Sequence, residues 1–177
     1  MTRIAPVQQP DGRAATTLDA LRRQLGMVPN LYATLAHSPT LLDAYLAFAD
    51  ALSKGQLTPR QREQLALAIG QANRCQYCLS AHTLIAGKLG LTQDEIRRAR
   101  LGLADDARDQ ALLQLAIALV IQRGELSDKQ LAEAREAGVD DSLLLEVLGQ
   151  VTLNTLTNYG NHLAGTEVDF PAVDLTP

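Results

Sequence analysis

Apolar residues recur at helical spacing along most of the chain. Between Pro39 and Ser53 they repeat about every 3.6 residues, which is typical of a helix with one face on a core: they are Leu42, Tyr45, Leu46, Ala49 and Leu52. Between Ala111 and Ile121 only Gln114 is polar. We predict that this segment is buried almost all round, either as the central helix of the fold or at a subunit contact.

Polar capping residues mark where these helices begin. Thr58, Thr92 and Ser127 are each followed three residues later by Gln or Glu, which is the capping-box pattern. Ser38-Pro39 combines an N-cap with a proline at the first helical position. These caps and the glycines between them predict helices over the following approximate ranges: Thr16 or Thr17 to Leu25, Asn30–Ala36, Pro39–Ser53, Thr58–Asn73, Cys75–Gly87, Thr92–Leu101, Ala104–Arg123, Ser127–Gly138 and Asp141–Leu163.

The composition indicates the same fold class. Hydrophobic residues make up 46% of the 177 residues but aromatic residues only 3%, so the core must consist largely of Ala and Leu. Such sequences with few β-branched runs favour helices. We predict an all-α fold, a compact bundle of about eight or nine helices that forms one domain over residues 1–177, with an extended arm at 1–14 and an extended tail at 165–177.

Both cysteines and one of the three histidines lie in one helical stretch. Cys75, Cys78 and His82 are spaced three and four residues apart, which places them on one stripe of a helix. Cys75 is predicted at the helix N-terminus and Cys78 in the same first turn, where N–H groups lower the pKa of a thiol. His82 could accept or relay the proton of Cys78. Because C-x-x-C spacing also brings a second thiol within reach of a sulfenic acid, the stripe predicts a dithiol redox site.

A carboxylate is predicted to face this histidine. If the helices before and after Asn73 form an antiparallel hairpin, Glu63, ten residues before that turn, lies opposite residue 83, ten residues after it. A buried carboxylate requires a partner, and His82 is the nearest candidate. Glu63 would then orient the imidazole and stabilise its charged form.

The order of these residues resembles a known family. Glu63, then Cys75-Gln76-Tyr77-Cys78, then His82 is similar to the alkylhydroperoxidase AhpD core of the carboxymuconolactone decarboxylase-like superfamily. The segments Gly26–Tyr32 (GMVPNLY) and Asn158–His162 (NYGNH) resemble the peroxidase-related branch of that superfamily. The resemblance extends over roughly residues 20 to 165.

The resemblance implies an AhpD-like helical fold and a hydroperoxide reductase. In that reaction Cys78 would attack the peroxide, Cys75 would be the resolving thiol that faces the reductant, and Glu63 and His82 would relay protons. An external dithiol or thiol reductant protein would reset the enzyme. The resemblance also implies a homo-oligomer, a trimer or a multiple of one.

Two further residues are candidate auxiliary groups. Tyr77 stands where the better-known members have a histidine before the second cysteine. A phenol with a pKa of about 10 cannot act as a base near neutrality, so Tyr77 either donates a hydrogen bond or covers the helix entrance. His162 is either part of the site or a structural histidine at a helix C-terminus.

Charge and hydropathy exclude several other classes. The formal net charge is −4 and no basic stripe is present, which argues against nucleic acid as a partner. No apolar run approaches the roughly 20 residues of a membrane span, and the first residues lack the apolar region of a signal peptide. We therefore expect a cytoplasmic protein. The absence of a Rossmann fingerprint argues against a bound nicotinamide, and no cofactor is expected.

Two alternatives to a peroxidase stay open at this point. One is a non-catalytic oligomer whose cysteine pair senses redox state or holds a metal; Cys75, Cys78, His82 and His162 are the available zinc ligands. The helix-forming sequence around the pair lacks the turn of a zinc knuckle, so no metal is expected. The other alternative is a carboxymuconolactone decarboxylase-like enzyme, which would make no evident use of a dithiol.

Overall fold

The computed structural model describes all 177 residues as nine helices joined by short loops, with no strand. The helices are α1 (Gly12–Leu25), α2 (Asn30–Leu35), α3 (Pro39–Ser53), α4 (Pro59–Ala72), α5 (Gln76–Lys88), α6 (Gln93–Arg100), α7 (Ala107–Ile121), α8 (Asp128–Glu136) and α9 (Asp141–Ala164). The predicted all-α bundle is confirmed. None of the helices combines the length and apolarity that a bilayer crossing requires.

The predicted helix starts are formed by the expected local contacts. Capping boxes at Thr58, Thr92 and Ser127 are complete, with hydrogen bonds in both directions. Ser38 accepts a hydrogen bond from the Leu41 N–H at the start of α3. These caps satisfy N–H groups that a helix leaves without a partner in its first turn.

Helix α4 lies at the centre of the bundle. It packs against α5, α6, α7 and α9. The residues Leu65–Ile69 are completely buried, except Ala66, which is 3% exposed. A second apolar cluster is formed mainly by α1, α2 and the start of α3, and it includes Cys75, Tyr77 and Cys78. The cysteines therefore lie inside the molecule, where this second cluster meets the start of α5.

The N-terminal extended arm is shorter than predicted, because α1 begins at Gly12 rather than after Thr16. Thr16 is not the N-cap; its hydroxyl donates to the Gly12 carbonyl inside the helix. Thr17 likewise lies inside α1 and donates to Asp43 of α3. The helix starts early because Ala14 already lies on the face that packs against the core.

Helix α7 is also shorter than predicted, and its burial is less complete. Only Leu112, Leu113, Leu115 and Ala116 are buried, whereas Gln114 is exposed and Ile121 is 67% exposed. The prediction that this helix is buried all round is wrong for the single chain. The reason is that α4, α9 and α8 cover only part of its circumference.

The C-terminal tail has no helix, as expected, and it runs back across α5. The Val173 N–H donates to Ser80 Oγ at 3.2 Å, and Gln76 donates to the Val173 carbonyl at 3.2 Å. Asp169 accepts a hydrogen bond of 2.7 Å from the Asn30 N–H at the start of α2. The tail thus joins the starts of α2 and α5, the two helices that border the cysteines.

Candidate functional site: a dithiol at a helix N-terminus

The junction between α4 and α5 sets the position of the first cysteine. Arg74 adopts a left-handed conformation with φ of 56°, and the Cys75 N–H bonds to the Gly70 carbonyl at 2.9 Å. This pattern is a Schellman closure of α4. Cys75 is at the same time the N-cap of α5, because its sulfur accepts a hydrogen bond of 3.3 Å from the Cys78 N–H. One tight turn therefore ends α4 and places a thiol on the N-terminus of α5.

The two thiols are reduced and differ in acidity. The pKa of Cys75 is lowered because the Cys78 side chain, and then its backbone N–H, donate hydrogen bonds to it, and these outweigh the effect of burial. The pKa of Cys78 is raised because its thiol is the donor in this pair and because it is buried. The negative charge of a singly ionised pair therefore resides on Cys75.

Glu63 and His82 meet as the hairpin geometry predicts. His82 Nδ1 and Glu63 Oε2 are 2.7 Å apart, and the two side chains are 23% and 16% exposed. Burial lowers the pKa of His82, but the charge and hydrogen bond of Glu63 raise it further, so the net shift is upward. His82 makes no hydrogen bond to either sulfur; it interacts with Cys75 through its charge, which lowers the pKa of that thiol.

A largely apolar pocket opens beside Cys78. Its volume is about 210 Å³, and Cys78 and His82 both contribute to its wall, whereas Cys75 does not. Aromatic side chains supply much of the remaining surface: Tyr32, Tyr45, Tyr77 and Phe170. Burial raises the pKa of Tyr32 and of Tyr45, so both phenols are neutral hydrogen-bonding groups. The pocket is large enough for a small organic molecule with apolar character.

Tyr77 has packing and hydrogen-bonding roles at the N-terminus of α5. Its hydroxyl accepts a hydrogen bond of 3.2 Å from the Leu31 N–H, and its ring contacts Phe170 edge-on with centroids 5.5 Å apart. Burial raises the pKa of Tyr77 above its ordinary value. The side chain lines the pocket as a neutral phenol, and it cannot supply the base that a histidine would supply here.

His162 lies apart from the thiols. It is exposed on the last turn of α9, and its Nε2 lies 3.3 Å from the Arg74 carbonyl at the α4–α5 junction. It therefore contacts the loop that precedes Cys75 rather than either sulfur. The four candidate zinc ligands do not converge, since no group of three or more His, Cys, Asp or Glu side chains is arranged to hold a metal ion.

Sequence reasoning missed Asn161, which does reach the thiols. Its Nδ2 lies 3.3 Å from Cys78 Sγ and 3.9 Å from Cys75 Sγ. A sequence signal for it was available: amide side chains recur at helical spacing along α9, at Gln150, Asn154, Asn158 and Asn161. All four are buried, so this stripe is a polar line on the inner face of the longest helix.

Comparison with known proteins finds a family match over the segment that contains these residues. The carboxymuconolactone decarboxylase family model matches residues 39–109. That segment extends from α3 to the first turn of α7 and contains Glu63, both cysteines and His82. None of the curated proteins matches the sequence.

Several solved structures share the fold over nearly the whole chain. The alkylhydroperoxidase AhpD core of an uncharacterized peroxidase-related protein from Ralstonia eutropha JMP134 is 26% identical, with a TM-score of 0.78 over 96% of this chain and 94% of that one. An uncharacterized peroxidase-related protein from Silicibacter sp. TM1040 is 20% identical, with a TM-score of 0.81 over 93% and 92% of the two chains. A cysteine-to-alanine variant of the debrominase Bmp8, in complex with 2,3,4-tribromopyrrole, is 17% identical, with a TM-score of 0.79 over 96% and 92%.

The family match covers the hairpin that carries the dithiol, and the structural matches cover the bundle around it. The fold is therefore AhpD-like, as the sequence analysis predicted. Over residues 39–109 the chain is similar to the carboxymuconolactone decarboxylase family, and it shares its fold with AhpD-like, peroxidase-related proteins.

Proposed function

We propose that this protein is a cysteine-based hydroperoxide reductase. One observation carries the proposal: a reduced Cys-x-x-Cys pair lies at a helix N-terminus beside a Glu63–His82 pair. One of its sulfurs faces a pocket that is large enough for a small organic molecule. This arrangement provides a thiolate, a place for a substrate and a proton donor within one site.

In the first step the Cys78 thiolate attacks the distal oxygen of the hydroperoxide. An S–O bond forms and the O–O bond breaks, so the sulfur loses two electrons and the peroxide is reduced to an alkoxide. The alkoxide takes a proton and leaves as the alcohol. The His82 imidazolium is the proposed proton source, because it lines the same pocket and Glu63 favours its charged form.

In the second step the Cys75 thiolate attacks the sulfur of the Cys78 sulfenic acid. An S–S bond forms, the S–O bond breaks, and hydroxide leaves as water after taking a proton. An external dithiol then reduces the Cys75–Cys78 disulfide by exchange. Only Cys78 lines the pocket, which supports Cys78 as the sulfur that meets the substrate.

The pair must share one proton for this order of events. At rest the charge lies on Cys75 and the proton on Cys78, so the proton has to pass to Cys75 before Cys78 can attack. The proposed path runs directly between the two side chains, which lie three residues apart on one helical turn and lower and raise each other's pKa. Cys78 is the less acidic thiol, but a thiol with a higher pKa is the stronger nucleophile once it is ionised. Cys78 is also the sulfur that contacts the pocket.

The proposed substrate is a small, mostly apolar hydroperoxide. Eleven of the fifteen residues around the pocket are hydrophobic, and Lys88 is its only cationic side chain besides His82. We further propose that the protein works in the cytoplasm with a dithiol or thiol reductant protein and forms a homo-oligomer, a trimer or a multiple of one. Exposed apolar side chains along α9, among them Leu145, Leu148, Tyr159 and Leu163, support the assembly.

The test of the proposal is a thiol count before and after one equivalent of organic hydroperoxide. We expect two thiols per chain to disappear with formation of an intramolecular disulfide and one equivalent of alcohol. Cys78→Ser should abolish peroxide consumption, and Cys75→Ser should leave a sulfenic acid on residue 78 that dimedone traps. Two thiols that survive an excess of peroxide would contradict the function, and dimedone labelling of Cys75 in Cys78→Ser would reverse the roles.

A second candidate function is reductive dehalogenation of a small aromatic compound. The aromatic wall formed by Tyr32, Tyr45 and Phe170 favours it, and one of the neighbours that share this fold is a debrominase crystallised with a brominated pyrrole. The two thiols would supply two electrons and a proton, so that a C–Br bond is replaced by C–H, bromide leaves and the disulfide forms. Bromide release from tribromopyrrole, measured beside alcohol formation from cumene hydroperoxide, distinguishes the two functions.

A further inference from the structure

Two amide side chains of α9 lie close to the dithiol. Asn161 is 4% exposed, and its Nδ2 lies within hydrogen-bonding distance of Cys78 Sγ and near Cys75 Sγ. Asn158, one helical turn earlier, is fully buried and, like Asn161, lowers the pKa of the Cys78 thiol. Asn73 holds Asn158 in place through a hydrogen bond of 2.8 Å to its Oδ1.

These amides are costly residues at this position. Asn161 Oδ1 and Asn158 Nδ2 are buried and have no hydrogen-bond partner within the chain. An apolar side chain of similar size would avoid this cost, since the surrounding cluster is apolar. The only hydrogen bonds that the Asn161 N–H₂ group donates are to the two sulfurs. A group that costs stability and points at reacting atoms is a candidate functional group.

We propose that Asn161, supported by Asn158, forms an amide cradle that holds the negative charge of the dithiol on either sulfur. The charge rests on Cys75 but must move to Cys78 for attack at the pocket. Asn161 reaches both sulfurs from one position, so its N–H₂ group can donate to whichever is ionised. A donor placed in advance in a dry site stabilises the anion without reorganisation.

Other ionisable groups surround the sulfurs and must be held constant in a test. His82 of α5, paired with Glu63 of α4, acts on Cys75, and Tyr45 of α3 and Tyr77 of α5 act on Cys78. All four stay unchanged in the variants below. The proposed cradle differs from them because its amides carry no charge and do not titrate.

The test measures thiol ionisation in Asn161→Leu and Asn161→Asp. Absorbance of the thiolate near 240 nm and the rate of alkylation by chloroacetamide are followed against pH. We expect Asn161→Leu to raise the apparent pKa of the first thiol by about one unit, which slows alkylation at pH 7 about tenfold. Asn161→Asp should raise it further, because a carboxylate accepts hydrogen bonds and repels the thiolate.

Asn154→Leu is the matched control. Asn154 is a buried asparagine on the same helix, but its amide donates to the Gln150 carbonyl and touches neither sulfur. The control should leave the thiol profile unchanged. If Asn161→Leu has the wild-type profile, or if Asn154→Leu shifts the profile equally, the cradle is wrong.

A measurement on the unaltered protein keeps the inference testable if the variants do not fold. The side-chain amide resonances of Asn161, followed by NMR, should move as the first thiol titrates and again when the disulfide forms. Amide resonances that do not shift in either event would overturn the inference. The inference rests on the proposed dithiol function. Because no arm of the test uses peroxide, a failure of the amide cradle can be distinguished from a failure of the proposed peroxidase function.

Discussion

At the residue scale, the proposed chemistry depends on one charge pair that acts at a distance from the sulfurs. Glu63 keeps His82 protonated to a higher pH than an ordinary imidazole, and the imidazolium in turn favours the Cys75 thiolate. Neither effect needs a hydrogen bond between His82 and a sulfur. In the proposed mechanism the pair therefore serves two purposes, since it stores a proton for the leaving group and raises the thiolate fraction.

Glu63→Gln should lower the pKa of His82, because it removes the carboxylate whose charge and hydrogen bond raise that pKa but keeps the shape of the side chain. His82 resonances followed by NMR against pH measure this shift. Asp50→Asn, at an exposed carboxylate that pairs with Lys54, is the control and should leave His82 unaffected. An unchanged His82 titration in Glu63→Gln would remove the pair from the mechanism.

The same substitution has a consequence for stability that depends on pH. Because the pKa of His82 is raised in the folded state, the pair contributes fully below the unfolded value of about 6.5, and its contribution is lost as pH rises through the folded value. The difference in unfolding free energy between wild type and Glu63→Gln should therefore be largest near pH 6 and shrink at higher pH. A difference that grows with pH would contradict this assignment.

At the scale of elements, α9 carries the amide stripe and crosses α3 closely at Gly149. A Cβ at Gly149 would lie 2.9 Å from Leu52 Cδ2, whereas a Cβ at Gly160 would have no neighbour closer than 3.9 Å, at Leu35. Both glycines lie inside a helix, where glycine is less favourable than alanine. They differ only in the space around them.

Gly160→Ala should raise the free energy of unfolding by about 0.5–1 kcal/mol, the difference in helix propensity, because the new methyl group meets ordinary contact distances. Gly149→Ala is its matched partner and should gain less or lose stability, since Leu52 has to move. Urea denaturation of both variants measures the difference. Equal gains would show that the α3–α9 crossing is not tight.

At the scale of the whole molecule, the site is assembled from distant segments. The pocket combines residues from α1, α2 and the segment between them, from α3, α5 and α9, and from the tail, with Phe170 as the tail's contribution. Hydrogen bonds from the tail to α2 and α5 hold Phe170 against Tyr77. The last residues therefore complete the wall of a site whose thiols lie some 90 residues earlier in the chain.

Phe170→Ala should widen the pocket and let larger reagents reach Cys78. We expect the alkylation rate with a bulky maleimide, divided by that with chloroacetamide, to rise several-fold as the ring is removed. Leu175→Ala is the control, because Leu175 packs against the main core and does not line this pocket. An equal rise in the control would mean that the whole tail has loosened, and no rise would mean that Phe170 does not restrict access.

Much of this molecule could be predicted from the sequence because its signals are local. Helix periodicity and the capping boxes at Thr58, Thr92 and Ser127 depend on residues three or four positions apart. The same holds for the stripe of Cys75, Cys78 and His82. The pairing of Glu63 with His82 required only one additional step, a tight turn between two adjacent helices, and the left-handed Arg74 provides it.

The tertiary structure alone decided what surrounds the thiols. Asn161 lies 83 residues from Cys78, and the pocket wall comes from segments with no shared period, so no spacing rule brings them together. The start of α1 and the partial burial of α7 were mispredicted for the same reason, since each depends on which neighbours cover the helix. The unequal acidity of the cysteines arises mainly from the hydrogen bond between their two side chains, whereas the burial that raises both pKa values depends on long-range packing.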